Sequence, residues 1–376
     1  MNELALKYYI VYALLMTGIS VYSIRLFKSR NYLINTSTTP RIVLFIVLLL
    51  LTVFCATGDY WSYRAWYDYG LENLHFEPMW ETVRSIIPWG FDIFKLVLWG
   101  GGLLLFTIMC KWHKSDLLIS YSLFALFYMI NYSYARASIA YMLILFAYYL
   151  IIKSKEVYFL YLPLLLLLVS FCVWIGIQMH RSMILLSIIL VGSLLIPARK
   201  KTIILLLLLF PIVSVIFNTI LYPYIILYIN NDAEMARLMY VYLHEDTRGI
   251  TVFWVQLFNH LPILLLFFVS LINILRKEDL PLAIKRIASS SFLIVYFSFI
   301  FYSIREGNGL ALFYRTMNMA YPFMIMSIAY SMKYINTMSH ITLVVIVYKV
   351  AFTFLVIFQV LSNPQYLYDQ VFERYF

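Results

Sequence analysis

Five arginines and one histidine are the residues of this chain best placed to act on an anion. Arg136, Arg181, Arg248, Arg305 and Arg315 each fall where a long apolar stretch gives way to polar sequence, and Arg64, Arg84 and Arg237 lie in the polar segments beside them. A guanidinium is a planar fork of donors that fits a phosphate bidentately. Arg136, Arg181, Arg248 and Arg315 stand at or just before the first residue of an expected helix. A cation there opposes the positive end of the helix dipole, by about 0.3–1 kcal/mol each. A bound anion reverses that sign, because backbone N–H groups, dipole and guanidinium then converge on it. The bland alternative is that these side chains snorkel to lipid phosphates or pair with nearby carboxylates. Four at matching positions favour a shared phosphate ligand.

His180 directly precedes Arg181. An imidazole accepts a proton near neutral pH, so His180 is the expected catalytic base, with His75, Glu77 and His244 as competitors. The segment around 58–81 interleaves aromatic rings with Asp59, Asp68, Glu77 and Glu81. Rings stack on the apolar faces of sugars and carboxylates accept from their hydroxyls, so Asp59, Tyr60 and Glu77 are expected to bind sugar. An interfacial belt of Trp and Tyr is the competing explanation. A second polar segment, about 222–249, supplies Glu234, Arg237, His244, Glu245, Asp246 and Arg248, and its pattern suits a surface helix acting as a lid. Asp232 and Glu234 resemble a metal pair, but no second element supports them. No nucleotide-binding loop, dinucleotide fingerprint or H-E-x-x-H occurs, so neither a metal nor a cofactor is expected.

The elements that must hold these residues are membrane helices. Hydrophobic residues make up 64% of 376 and charged residues 12%. Apolar runs such as 164–168 and 205–209 do not alternate, which excludes a β-barrel. The hydropathy predicts an all-α polytopic protein of about twelve spans: 5–27, 41–58, 90–110, 115–132, 135–152, 157–177, 181–197, 202–221, 250–275, 287–304, 313–332 and 341–361. The first is read as a retained span rather than a signal peptide, since no basic segment precedes it. Alternate connectors carry Arg25, Lys28, Arg30 and Arg41; Lys111 and Lys114; Lys153 and Lys155; Arg199, Lys200 and Lys201; Arg276, Lys277, Lys285 and Arg286; and Lys333. Those connectors are therefore expected inside, with both termini and the arginine set outside.

The remaining features have simpler readings. The net charge of +10 reflects this topology and the proposed site rather than nucleic-acid binding. Cys55, Cys110 and Cys172 are too scattered for a disulfide framework or zinc site and read as buried thiols. Gly100-Gly101-Gly102 allows close helix packing or a kink. Asp92 and Lys95, one turn apart, are expected to pair, and Lys349 is a mid-span charge that should face the bundle interior. Residues 1–376 are expected to form one transmembrane domain, with outer loops at about 59–89 and 222–249.

Three stretches resemble the EpsG branch of Wzy-type polysaccharide polymerases, which join O-antigen or capsule repeat units. They are Asp59, Tyr60 and Glu77-Pro78; Arg136-Ala137-Ser138-Ile139-Ala140 with His180-Arg181-Ser182; and Arg315 with Tyr321-Pro322. Met79 stands where that family usually carries a small residue. The resemblance implies a GT-C-like enzyme of the bacterial inner membrane that acts without a metal at the periplasmic face. Its substrate would be oligosaccharide on undecaprenyl pyrophosphate, within membrane lipid, and a flippase and chain-length regulator of the same pathway would be partners. An O-antigen-ligase-like transferase shares nearly all of this chemistry. A flippase is the rival from another class, and would need cationic residues through the full membrane depth.

Overall fold

In the computed structural model, residues 38–54, 60–70, 77–129, 132, 137–154, 161–223, 249–302 and 309–335 are described. They form helices α1 (Thr38–Phe54), α2 (Tyr60–Tyr69), α3 (Pro78–Ile86), α4 (Phe91–Trp112), α5 (Leu117–Phe127), α6 (Ala137–Lys153), α7 (Leu162–Met179) and α8 (Met183–Leu195). These are followed by α9 (Lys200–Ile216), α10 (Gly249–Arg276), α11 (Leu282–Tyr302) and α12 (Gly309–Ile335). There is no strand among the described residues. Among the described residues, four stretches, Phe91–Trp112, Leu162–Met179, Lys200–Leu221 and Leu282–Tyr302, are long and apolar enough to cross a membrane. Every span expected within the described residues falls on a helix, with edges moved by a few residues. The spans at 5–27 and 341–361, with Lys349, lie outside the described residues, as does most of the 222–249 loop.

The helices divide into two compact units, Met1–Ser187 with Ile325–Phe376, and Ile188–Met324. In the first, small residues bring helices together. A Cβ on Gly176 of α7 would come within 2.9 Å of Ile144 on α6, and one on Gly100 of α4 within 2.8 Å of Leu49 on α1. Gly102 makes room for Tyr132, whose hydroxyl donates to Trp99 O at 2.5 Å while the Trp99 indole donates to Tyr132 O at 2.9 Å. The expectation of close packing thus holds at Gly100 and Gly102; Gly101 faces open space. Opposite these contacts, α7 presents Leu164 and Leu167, 67% and 69% exposed, an apolar surface suited to lipid.

Turns are held by side chains. Asp116 caps α5, accepting from Leu118 N at 3.0 Å and Ile119 N at 3.1 Å, and the Ser115 hydroxyl donates to Met326 O at 2.9 Å. His113, in the same connector, is buried against the rings of Tyr149 and Tyr330, and neither of its ring nitrogens has a hydrogen-bond partner. Burial, aided by the Lys153 ammonium, pushes its pKa down to about 3. Cys110 and Cys172 are buried free thiols, as expected; Cys55 lies outside the described residues.

In the second unit α11 is buried along most of its length, whereas α9 is largely exposed. Pro211 lies inside α9, and a π-helical turn, Phe217–Leu221, continues it. Some buried serines are satisfied by backbone or by each other: Ser298 donates to Ile294 O, and Ser193 and Ser290 share a 3.0 Å bond. The Arg286 guanidinium donates to Leu194 O at 3.0 Å, at the C-terminus of α8, where the helix dipole favours a cation.

Two measurements test this packing. Gly102→Ala places a methyl against the Tyr132 hydroxyl and should cost about 1–3 kcal/mol of thermal stability in detergent. Gly101→Ala, facing open space, should be neutral or slightly stabilising. The His113 imidazole, depressed in the folded state from an unfolded value of about 6.5, gives full stability above that pH. Stability should fall as pH drops from about 6.5 towards 3, because the unfolded chain then binds the extra proton. In His113→Leu the melting temperature should lose this part of its pH dependence.

Candidate functional site

The aromatic-acidic loop folds as two short helices. Pro78 supplies a fixed φ at the start of α3, Glu77 precedes it in extended conformation, and Glu81 and Arg84 sit at the ends that the helix dipole favours. The Trp66 indole donates to Glu81 Oε1 at 2.7 Å, and Glu81 Oε2 lies 3.6 Å from Arg84 Nη1. The Arg84 guanidinium stacks 5.6 Å from the Trp66 ring and 5.9 Å from Tyr67. Gly70, at φ +62°, ends α2, and a Cβ there would meet Arg84 Nη1 at 3.2 Å. Both the left-handed backbone and the close approach call for glycine. The Tyr67 hydroxyl donates to Ile87 O at 2.5 Å and accepts from Gly90 N at 3.1 Å, tying α2 to the start of α4.

This module spends much of its chemistry on itself. Trp66, Tyr67 and Trp80 are buried, packed with Phe94, and Glu81 is taken by Trp66 and Arg84. Those rings hold the loop together instead of facing a sugar. Asp59 lies outside the described residues; α2 begins at Tyr60.

The loop is docked at one specific point. The Trp80 indole donates to Met179 O at 2.8 Å, at the last residue of α7, and its ring packs on Trp99. His180 and Arg181 follow immediately. The helix that starts after Glu77 is thus anchored to the turn that carries His180, and α3 packs against α7. Glu77 is half-buried, and its side chain does not cap α3. His180 is half-buried with Nδ1 at 2.7 Å from Ser182 Oγ, and Arg181 is exposed. The helix that follows Glu77 and the turn that carries His180 and Arg181, about a hundred residues apart in the chain, are therefore joined through Trp80 and Met179.

Sequence reasoning missed Lys95 as anything more than a partner for Asp92. It is 2% exposed, with its ammonium 5.9 Å from the Trp99 ring, so a buried cation lies within the aromatic cluster that also holds Trp80. The missed signal was a lysine four residues from a tryptophan in the first turns of a span.

In the second unit Arg315 is half-buried on α12, one residue after Tyr314. Tyr314 lies 5.7 Å, ring to ring, from His260 of α10, and His260 Nδ1 is 2.5 Å from the Tyr321 hydroxyl. His260 is buried, and its Nε2 has no hydrogen-bond partner. Tyr314 and Tyr321 are seven residues apart, so one helix face carries both; that spacing, together with a histidine inside a span, could have revealed the cluster. Arg136, Arg248 and Arg305 lie outside the described residues. Among the described residues, no group of three His, Cys, Asp or Glu side chains could hold a metal ion.

The EpsG family model matches residues 38–373 of the chain. No curated protein and no solved structure matches it.

The anchor is open to a conservative test. Trp80→Phe keeps most of the packing on Phe94 and Trp99 but removes the donor to Met179 O. A loss of about 1–3 kcal/mol in thermal stability is expected, with faster proteolysis of the α2–α3 loop. An unchanged cleavage rate would show that the indole does not hold the loop.

Proposed function

The chain belongs to the EpsG family, which points to a multi-pass membrane protein of polysaccharide biosynthesis, and we propose that it polymerises lipid-linked oligosaccharide repeat units. In this reading the donor is oligosaccharide on undecaprenyl pyrophosphate, the acceptor is a second lipid-linked repeat, and the reaction takes place at the periplasmic face of the bacterial inner membrane. Twelve spans in a GT-C-like bundle, with both termini periplasmic, are part of the proposal.

The observation that carries it is the Trp80–Met179 hydrogen bond, which brings the start of the Glu77 helix to the His180–Arg181 turn. A carboxylate at the start of the docked helix, with an imidazole and a guanidinium at the helix break on which it docks, are the groups that glycosyl transfer from a pyrophosphate needs. The arginine has to stabilise charge that develops on the leaving group. The carboxylate has to orient or deprotonate a sugar hydroxyl, and the imidazole stands at the reacting bond. Asp59 and Tyr60, at the opposite end of the same loop, are assigned to sugar binding. Arg136, Arg248, Arg305 and Arg315 are assigned to the pyrophosphate on the same placement argument as Arg181.

Purified protein in nanodiscs, supplied with undecaprenyl-pyrophosphate repeats, should lengthen glycan without ATP and in the presence of a metal chelator. Arg181→Lys keeps the charge but loses the bidentate fork, and should lower the extension rate by about 10-fold or more. Extension at the wild-type rate in that variant would remove Arg181 from the site. Loss of lipid-linked repeat from the opposite leaflet without any extension would replace the polymerase with a flippase.

A further inference from the structure

The turn between α7 and α8 fixes which nitrogen of His180 carries the proton. His180 closes α7 with extended backbone, φ −159° and ψ 113°, and its own N–H donates to Gly176 O at 3.1 Å. The same residue opens α8. Met183 N donates to His180 O at 3.0 Å, while the Ser182 N–H donates to His180 Nδ1 at 3.3 Å and the Ser182 hydroxyl lies 2.7 Å from the same nitrogen. In the turn that leads into α8 the imidazole thus does what an Asp or Asn side-chain oxygen commonly does, accepting from the N–H two residues on. A backbone N–H can only donate, so Nδ1 must keep its lone pair, and the serine hydroxyl then donates to it as well. A neutral ring with Nδ1 as acceptor holds its proton on Nε2. A second proton on the ring would displace both bonds, and would face the positive start of α8 beside Arg181.

We infer that Ser182 is a positioning residue that holds His180 as the Nε2–H tautomer. His180 therefore serves the reaction as a hydrogen-bond donor to the departing pyrophosphate, and the sugar proton goes elsewhere. This rests on reading the site as a glycosyl-transfer centre. A neutral imidazole at a helix start is suited to stabilising negative charge as it develops. In the step itself, the acceptor hydroxyl oxygen bonds to the anomeric carbon as the bond from that carbon to the pyrophosphate oxygen breaks. The electron pair leaves on that oxygen, against His180 Nε2–H and the Arg181 guanidinium. The hydroxyl proton passes to a carboxylate, and Glu77, at the start of the helix that Trp80 anchors to this turn, takes that place. On this inference Glu77 takes the role of base that the sequence assigned to His180.

The full chain labelled with 15N-histidine, in nanodiscs, tests the tautomer directly. The ring signals lost in His180→Gln identify His180; they should show an unprotonated Nδ1 and a protonated Nε2. Ser182→Thr should preserve that pattern, whereas Ser182→Ala, which leaves Nδ1 only the longer 3.3 Å backbone bond, should let the other tautomer appear beside it. In the extension assay, His180→Gln, whose amide donates but takes no proton, should stay within about 10-fold of wild type. His180→Ala should lose about 100-fold or more. Ser182→Ala should slow extension and Ser182→Thr should restore it. A protonated Nδ1 in the wild type, or a tautomer indifferent to Ser182→Ala, overturns the inference. So does His180→Gln as inactive as His180→Ala. If the wild type shows the Nε2–H tautomer yet never extends glycan, the polymerase reading falls and the assignment of the proton stands.

Discussion

Backbone polar groups at a helix break have to be satisfied from within the protein, and the break between α7 and α8 is where that requirement shapes this fold. The last carbonyls of one helix and the first N–H groups of the next have no intrahelical partners, and near a bilayer water does not reliably replace them. Here the Trp80 indole takes Met179 O and the His180 ring takes Ser182 N. One of those partners comes from a loop about a hundred residues earlier, so satisfying the break also docks the loop. The packing of Trp80 on Phe94 and Trp99, and the tie from Tyr67 to the start of α4, hold that loop in the orientation the bond requires.

The same constraint explains which parts of the fold were legible beforehand. Apolar runs of span length report the helices directly, since a helix is the way a segment in lipid can satisfy its own backbone. The edges at 90, 181 and 202 therefore agree with α4, α8 and α9 to within a few residues. Gly100 and Gly102 could be read as packing positions because a small residue in a span has few other uses. The loop was harder. Its aromatic and acidic residues suited sugar binding by type, yet Trp66 and Tyr67 build the loop's own core and the exposed Glu81 carboxylate accepts from the Trp66 indole. Composition shows what a side chain can do, while burial decides which of several possible partners it takes.

Polar residues inside the units follow a similar logic. Serines in the middle of helices are cheap because each can donate to a carbonyl on its own helix, as Ser298, Ser270 and Ser122 do. Histidines have no such local outlet. His260 uses Tyr321 for one nitrogen, and His113 uses neither nitrogen and stays neutral. Hydropathy averages such residues away, which is why neither stood out from the sequence, although both are among the most buried polar side chains.

Two arginines show why position along a helix says more than charge alone. Arg286 binds the carbonyl of Leu194, at the negative end of α8, where dipole and hydrogen bond act together; its placement needs no ligand. Arg181 stands at the opposite, positive end of the same helix, exposed, beside a ring that already accepts from the turn's Ser182 N–H. Folding alone gives no reason for a cation there, and Asp or Ser would satisfy the helix start better. A negative charge from outside the chain turns that arrangement from unfavourable to favourable. In the proposed function Arg181 belongs to the chemistry, whereas Arg286 serves the scaffold, although the sequence presents both as basic residues at the edge of a span.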